Sequence, residues 1–425
     1  MYIRRDRSNL HFGSQRRRRG GGALLVIWVV TLLLVLAVIW RFDSVQTWVL
    51  AGVGGDPTAT PNAITLAQQG ERAYWRGDLE TAIGYYEQAA ELAPDNIDIR
   101  FELGRVLIYR SYAGRTYDFR AEQALEVAQE AVRIAPDNAR AQALLCNALV
   151  ANDRAEDAIA AGLRAVQLDP EYAEAYAYLS VAYYYAGRPN QAFEAGDTAV
   201  QKNPDSLDAR RALALSLAFV GEYNAAIQQF ERAIQIHPEL DVLYFEVATY
   251  YKAQNNYEGA IAAYDRVLVM DPDNVKAYTR MCETYFTMRE DALAQEACEQ
   301  AVQMDPTYPE AFRQLGMVRY TSRNFEGAIE SFEVCSDLQD AAEVPLVDRE
   351  IQCWYIRGLA WALLARCDEA WPLFQESLQM NPNEVILGHI NDGMMSCVDY
   401  GDRDISEIPT PVPPTPVPPE PLGVY

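Results

Sequence analysis

One pattern recurs along most of this chain with a period of 34 residues. In nine copies the twentieth position is always alanine, and the eighth position always holds a small residue. Eight of the nine copies also carry proline at the thirty-second position, where Asp340 is the exception. The second copy fits once an eight-residue insertion in its middle is allowed for. A spacing kept this strictly indicates one repeated structural unit. The copies begin at Ala63, Ile97, Ala139, Ala173, Leu207, Asp241, Val275, Pro309 and Ile351.

Each copy predicts a pair of antiparallel helices. Small residues at positions 8 and 20 let two helix backbones approach closely, and larger side chains at position 24 fill the space beside them. Glycine at position 15, as in Gly77, Gly187 and Gly221, suits a turn between the helices. The "PDN" or "DPE" at the end of a copy stops the second helix and offers an Asp or Asn cap to the next. No segment alternates with period two for long enough to predict a strand.

This pattern resembles that of the tetratricopeptide repeat family, in which small residues, alanine, an aromatic residue and proline recur at fixed offsets. The resemblance covers residues 63–384. It implies an all-α, right-handed superhelical solenoid of about nine helical hairpins, whose first helices line a concave groove. Three copies depart from the family at the fourth position, which holds Arg100, Gln142 and Arg210 instead of a large aromatic residue. After the ninth copy, residues 385–405 are predicted to form a capping helix.

The N-terminal region predicts a membrane anchor. Residues 1–22 carry a net charge of +6, and Ala23–Trp40 is a run of 18 uncharged, mostly apolar residues. As a helix this run is about 27 Å long, close to the ~30 Å thickness of the hydrocarbon layer. Because an arginine-rich flank marks the cytoplasmic side, we expect residues 1–22 in the cytoplasm and the chain after the helix outside it. A cleaved signal peptide is the alternative, although "LAGVGG" at 50–55 is a poor cleavage site.

The segments on either side of the repeats have the composition of linkers and tails. Residues 41–62 include a stretch rich in glycine and proline that is typical of a spacer. Residues 406–425 are predicted to be a disordered, Pro-rich tail, extended and polyproline-II-like over 409–425. The tail is either a solvated end without a partner or a strut that docks on a wall or envelope component. Residues 23–425 sum to a charge of −30, so we expect no nucleic-acid partner.

The sequence offers no set of residues for catalysis. Its three histidines, His11, His237 and His389, are far apart along the chain, which argues against a histidine-based catalytic or zinc site. It contains no nucleotide, flavin or protease motif. The "DPDN" at 271–274 is explained better as a helix stop and cap than as a set of calcium ligands. We therefore expect no enzyme activity, no metal site, no cofactor and no small-molecule substrate.

In the family, positions 2, 5, 6, 9, 12 and 13 of the first helices face the groove. In this chain those positions are rich in aromatic residues, which suit apolar segments of a peptide or helix, although aromatic residues at helical spacing also pack inward. Lys252, Lys276, Arg280 and Arg313 suggest a local cationic spot. The predicted partner-binding residues are Tyr74, Trp75, Phe101, Tyr109, Tyr178, Tyr184, Tyr185, Phe219, Phe245, Lys276, Arg280, Phe286, Arg313, Tyr320 and Tyr355.

These features together predict a membrane-tethered, extracytoplasmic scaffold that holds a protein or peptide partner in its groove. One version is an assembly factor for an envelope complex, similar to the repeat-bearing subunits that present apocytochromes for maturation. The alternative is a permanent structural subunit of a cell-envelope complex, without an exchangeable ligand. A receptor for C-terminal carboxylates is disfavoured, because the Lys/Asn clamp of the family is incomplete: only Asn147 and Arg211 have suitable chemistry.

The cysteines are predicted to form disulfides. Six of the seven lie between residues 282 and 397, in a compartment where oxidation is expected. In a 34-residue repeat, antiparallel neighbours meet where their position numbers sum to about thirty. Cys146 should remain a buried thiol, and the alternative is that all seven are small core residues. The predicted pairs are Cys282 with Cys298, Cys335 with Cys353, and Cys367 with Cys397, the extra residues Glu343–Glu350 weakening the case for the middle pair.

Overall fold

The computed structural model describes residues 62–114 and 117–399. Within these residues it contains nineteen α-helices, one short 3-10 helix and no β-strand. Consecutive helices pack as hairpins, numbered 1 to 9 from α1–α2 to α17–α18, and α19 follows the last hairpin. The helices are α1 Ala63–Tyr74, α2 Leu79–Leu92, α3 Ile97–Ser111, α4 Phe119–Ile134, α5 Ala139–Ala151, α6 Ala155–Leu168, α7 Ala173–Tyr185, α8 Pro189–Lys202, α9 Leu207–Phe219, α10 Tyr223–Ile236, α11 Asp241–Ala253, α12 Tyr257–Met270, α13 Val275–Met288, α14 Asp291–Met304, α15 Pro309–Thr321, α16 Phe325–Ala341, α17 Gln352–Leu363, α18 Cys367–Gln379 and α19 Glu384–Asp399.

The helices begin where the sequence pattern places them. The first helices of hairpins 1 to 8 start at the first residues of the first eight copies. Helix α17 starts at Gln352, one residue later than the ninth copy, because Ile351 takes the N-cap position. At the end of "DPDN", the side chain of Asn274 accepts a hydrogen bond of 3.0 Å from the backbone N–H of Ala277. That tetrapeptide is therefore a helix stop and cap.

The small residues at positions 8 and 20 allow the two helices of each hairpin to touch. All nine alanines at position 20 have no exposed surface. A Cβ atom added to Gly316, at position 8 of hairpin 8, would lie 2.7 Å from the ring of Phe332, at position 24. Gly358 and Phe374 are related in the same way in hairpin 9, also at 2.7 Å. In hairpins 8 and 9 the fully buried ring at position 24 therefore occupies the space left by the missing side chain at position 8, whereas in hairpin 5 Phe230 is equally buried with Ala214 at position 8.

The turn inside a hairpin uses one residue in the left-handed region of backbone space. Gly77, Gly187 and Gly221, at position 15, have φ angles of 76°, 72° and 83°. Five other hairpins adopt the same turn with a non-glycine residue, whose φ lies between 58° and 65°. The turn is therefore common to eight hairpins, and glycine is only the preferred residue in it. The five residues are Asp153, Asn255, Arg289, Arg323 and Ala365.

The hydrophobic core is continuous over most of the repeats and divides near the C-terminal end. One cluster of buried side chains extends from Leu66 to Val318. A second surrounds Phe332 and Trp354, and a third joins Phe374 of hairpin 9 to Ile390 of α19. Helix α19 thus caps the last hairpin over its described length, whereas residues 400–405 of the predicted capping helix lie outside the described residues.

The structure joins six cysteines in the predicted pairs. The Cα atoms of Cys282 and Cys298 are 5.2 Å apart, those of Cys335 and Cys353 6.0 Å, and those of Cys367 and Cys397 5.5 Å. The extra residues before hairpin 9 include a 3-10 helix, Leu346–Asp348, and leave the middle pair within bonding distance. Cys146 is a buried free thiol, and burial raises its pKa.

The structure does not address the N-terminal anchor. Among residues 62–114 and 117–399, no helix is both long enough and apolar enough to cross a bilayer. The predicted cytoplasmic segment 1–22, transmembrane helix 23–40 and tail 406–425 lie outside the described residues, as does the linker up to residue 61.

Candidate partner-binding surface

The inner surface of the repeats is formed by the first helices, and much of it is filled by the chain itself. Tyr74, Phe101, Tyr109, Tyr178 and Tyr184 were predicted to line an open groove, but each is no more than 8 % exposed. These five rings therefore pack inside the molecule. For Tyr74 and Tyr109 the physical reason is that hairpins 1 and 2 contact hairpins 5 to 7, which we call the closure contact. On hairpin 4, Tyr178 packs near Phe101 with the ring centroids 6.4 Å apart, and Tyr184 packs on Phe219 of the next hairpin at 5.0 Å.

The first part of the closure contact joins the end of α1 to His237, which follows α10. Nε2 of His237 lies 3.0 Å from the backbone oxygen of Tyr74. A carbonyl oxygen only accepts hydrogen bonds, so Nε2 carries the proton. The ring of Trp75 stacks on the imidazole with the centroids 4.8 Å apart. His237 is fully buried, and burial lowers its pKa to about 4, so the ring is neutral near pH 7.

The second part is a buried polar cluster between α3 and α9. The hydroxyl of Tyr109 donates a 2.5 Å hydrogen bond to Asp208. Arg105 lies 3.5 Å from Asp208 and 2.6 Å from Glu102, and it donates a 3.3 Å hydrogen bond to the hydroxyl of Tyr74. Burial, followed by the nearby Asp208 carboxylate, raises the pKa of Tyr109. The aromatic residues of α1 and α3 are thus held by charged partners as well as by packing.

The third part joins the end of α3 to α9 and α13. Nζ of Lys276 donates a 2.7 Å hydrogen bond to the backbone oxygen of Tyr112. The guanidinium of Arg211 lies 5.0 Å from the centroid of the Tyr112 ring. Arg211 is itself held by Glu246, with an N–O distance of 2.6 Å and both side chains 7 % exposed. Burial, followed by the nearby Arg280, lowers the pKa of Lys276.

The charged residues near the groove positions are paired, so the predicted cationic spot needs correction. Arg211, one of the two residues with suitable chemistry in the incomplete Lys/Asn clamp, is likewise buried and paired with Glu246. The predicted cationic spot is instead a chain of alternating charges, in which Lys252, Arg280 and Arg313 each face a carboxylate. Lys276 donates to the backbone oxygen of Tyr112 and takes no part in this chain of charges. The contacts within the chain of charges are Lys252–Glu283 at 3.1 Å, Arg280–Glu283 at 3.1 Å, Arg280–Glu310 at 3.0 Å, Arg313–Glu310 at 3.5 Å and Arg313–Glu350 at 3.3 Å.

The remaining predicted residues keep some contact with solvent. Trp75 is 46 % exposed and Tyr185 43 % exposed. The others, which are partly buried, are Phe219, Phe245, Phe286, Tyr320 and Tyr355.

The last three of these residues belong to hairpins 7 to 9 and have apolar neighbours on the same helices. Met317 and Leu359, at position 9 of their copies, are partly buried, and Leu363, at position 13, is 56 % exposed. We call Phe286, Met317, Tyr320, Tyr355, Leu359 and Leu363 the C-terminal inner surface. The sequence analysis missed the three aliphatic members because it selected only aromatic and basic residues at groove positions.

One cavity among the described residues lies away from the closure contact. This cavity of about 500 Å³ lies beside the turn of hairpin 3 and the end of α7, lined by Asp153–Asp157, Tyr185 and Ala186. It is open, and it contains none of the contacts described above. Within the described ranges, no group of three or more His, Cys, Asp or Glu side chains is placed to hold a metal ion.

Comparison with known families agrees with this geometry. A family model described as "Tetratricopeptide repeat" matches residues 179–241, and one described as "TPR repeat" matches residues 248–288. These two stretches are similar to tetratricopeptide repeats. The two matches run from α7 to the end of α13, and the hairpins outside them keep the same buried alanine at position 20. No curated protein matches the chain.

Proposed function

We propose that this tetratricopeptide repeat protein is a membrane-tethered scaffold that binds a protein or peptide partner at its C-terminal inner surface. The observation that carries the proposal is the partial exposure of apolar side chains there, whereas Tyr74, Phe101 and Tyr109 of hairpins 1 and 2 are buried. Leu363 is the most exposed of these side chains, at 56 %. Clustered aromatic and aliphatic side chains that remain accessible are typical of protein-binding surfaces.

The charges near this surface indicate the chemistry of the partner. The alternating chain from Lys252 to Glu350 compensates its own charges, so it offers little net attraction to an acidic or basic segment. Burial acts most strongly, against the charged form of Glu310, but Arg280, a hydrogen bond from Tyr308 and Arg313 together lower the pKa of that carboxyl. A segment with apolar or aromatic side chains suits this surface better than a highly charged one.

The membrane tether and the location outside the cytoplasm belong to the same proposal. They are supported by the apolar run Ala23–Trp40 behind an arginine-rich segment. Three disulfides in the repeats are consistent with an oxidising compartment. A scaffold in that place would serve as an assembly factor for an envelope complex. A permanent subunit of such a complex is the competing possibility.

The test is to purify the full chain from native membranes in mild detergent and to identify what it carries by mass spectrometry. Tyr320→Ala combined with Leu363→Asp should lower partner recovery by about tenfold, equivalent to ~1.4 kcal/mol. The control is Val269→Asp, which introduces the same charge at a 68 % exposed position on the second helix α12. Equal recovery with both variants would contradict the proposed surface. A fixed stoichiometric complex would favour the permanent subunit over the scaffold.

A further inference from the structure

The closure contact uses two helix ends of the same kind. Tyr74 is the last residue of α1, and Tyr112 is the C-cap residue of α3. Carbonyl groups at the C-terminal end of a helix lack partners within the helix, and they lie at its negative pole. The donors His237 and Lys276 reach these two carbonyl oxygens at 3.0 Å and 2.7 Å. The oxygen of Tyr74 also accepts a 2.9 Å hydrogen bond from the backbone N–H of Gly77 in the following turn.

Each helix end also presents an aromatic ring to a nitrogen-bearing side chain. Trp75 stacks on the imidazole of His237 at 4.8 Å, and the Tyr112 ring lies 5.0 Å from the guanidinium of Arg211. The same combination, a donor to a terminal carbonyl and a planar nitrogen group on an aromatic ring, therefore occurs twice. The side of the contact that carries His237, Arg211 and Lys276 therefore offers this combination at two places.

The receiving side is held in place by its own hairpins. Arg211 makes hydrogen bonds of 2.6 and 2.9 Å to Glu246, which fix its guanidinium. His237 follows α10 directly as its C-cap, and its backbone N–H donates to Ala233 at 3.0 Å. Preorganised groups bind a ligand with less ordering cost than mobile ones.

We propose that Arg211, His237 and Lys276 form a receptor for the C-terminal ends of helices that carry aromatic residues. Hairpin 1 and α3 occupy this receptor in the closed form, and a helix of a protein partner with an aromatic C-terminal turn competes for it. The proposal rests on the scaffold function described above, but it concerns a different surface from the C-terminal inner surface.

Gly77 gives a way to open the contact without changing the receptor. Its φ is 76°, and a Cβ atom there would overlap the backbone oxygen of Glu239, two residues after His237. Gly187 has a φ of 72° in the equivalent turn of hairpin 4, and a Cβ atom there would meet nothing within 4 Å. Gly77→Ala and Gly187→Ala therefore carry the same backbone strain, and only the first disturbs the closure contact.

The experiment uses the full chain in mild detergent and an amidated, fluorescent peptide with the sequence of residues 63–78. Binding is measured by fluorescence anisotropy, and release of α1 by hydrogen exchange. The apparent affinity for the peptide is proportional to the fraction of molecules in which the receptor is not occupied by α1. Gly77→Ala should therefore bind the peptide at least about tenfold more tightly than Gly187→Ala. Adding His237→Ala to Gly77→Ala, or replacing Trp75 in the peptide by alanine, should remove this gain.

Two results would overturn the proposal. Equal exchange of α1 in Gly77→Ala and Gly187→Ala would show that the closure contact does not open. Faster exchange of α1 in Gly77→Ala without tighter peptide binding would show that the released surface is not a receptor. Neither result depends on the partner recovered through the C-terminal inner surface, so the two proposals fail separately.

Discussion

Gly316 faces the ring of Phe332 where α15 crosses α16, and a Cβ atom on the glycine would lie 2.7 Å from that ring. In hairpin 7 the equivalent positions, 8 and 24, hold Cys282 and Cys298, which are bonded to each other. The two helices of a hairpin are therefore joined at this crossing in two ways: a small residue packs against a large one, or two cysteines form a disulfide.

This crossing makes Gly316→Ala a destabilising change. Phe332 is fully buried, so its ring has no space to move away from an added methyl group. Overpacking of this kind costs about 1–3 kcal/mol, measured as a lower urea midpoint. The control is Gly84→Ala on α2, where a Cβ atom meets nothing within 4 Å. That change should stabilise its helix by roughly 0.5–1 kcal/mol, and a loss of stability there would contradict this explanation of the crossing.

Arg323→Gly should stabilise hairpin 8. Arg323 is exposed and has a φ of 61°, a region that costs an ordinary L-residue about 1–2 kcal/mol. Glycine relieves that strain but gains freedom in the unfolded chain, so we expect a net increase of roughly 0.5–1 kcal/mol in the free energy of unfolding. Asn255→Gly, at the same position of hairpin 6, should gain less because asparagine tolerates this region. Denaturant titration of the two variants measures both effects.

Acid should open the closure contact through His237. Its pKa in the folded chain is about 4, below the value of 6.5 for a free histidine, so the unfolded or open form binds the proton more readily. Stability is therefore complete above pH 6.5 and falls as the pH drops from 6.5 toward 4, by up to about 3 kcal/mol at ~1.4 kcal/mol per pKa unit. The imidazole is faced by the rings of Tyr74, the last residue of α1, and Trp75, which follows it, and the cation of Arg105 on α3 also disfavours its protonation.

The measurement is hydrogen exchange of α1 between pH 7 and pH 4, corrected for the intrinsic pH dependence of exchange. The His237→Gln variant should lose this acid-dependent opening, whereas His389→Gln, at an exposed histidine of α19, should keep it. If acid opens α1 equally in all three proteins, another group is responsible.

Reduction of the disulfides should loosen only the C-terminal hairpins. The two small core clusters there each contain one bond, Cys335–Cys353 or Cys367–Cys397, and a bond closing such a loop contributes about 3 kcal/mol. Serine at Cys367 and Cys397 should speed hydrogen exchange in α18 and α19 and leave α5 to α10 unchanged. Uniform acceleration along the chain would contradict a local role for this bond.

The contacts between neighbouring helices could be predicted from the sequence because the same contacts recur in each copy. The helix starts, the turn at position 15 and the cysteine pairs depend only on positions within one copy or between adjacent copies. The closure contact does not follow from such spacing. It joins Tyr74 to His237, 163 residues apart, and it depends on small rotations that accumulate over several hairpins.

The residue types at the groove positions could be read from the sequence. Which of these side chains are buried or bonded to another residue could not. Tyr109 and Asp208 both occupy groove positions, and no pattern within a copy indicates that they bond to each other. The prediction of a cationic spot was wrong for the same reason. The carboxylates of Glu310 and Glu350, which pair with Arg280 and Arg313, lie further along the chain. His237 lies just after α10, the second helix of hairpin 5, and the repeat pattern does not predict that this position contacts a distant hairpin.

The closure contact is tested most directly by a photoreactive benzoylphenylalanine placed at Trp75 in the full chain. Trp75 is 46 % exposed, so the substitution should be tolerated, and its ring stacks on His237 at 4.8 Å. Irradiation of intact cells followed by peptide mapping should give an adduct on the segment that contains His237 and Glu239. Adducts confined to hairpins 1 and 2 would contradict the closure of the inner surface.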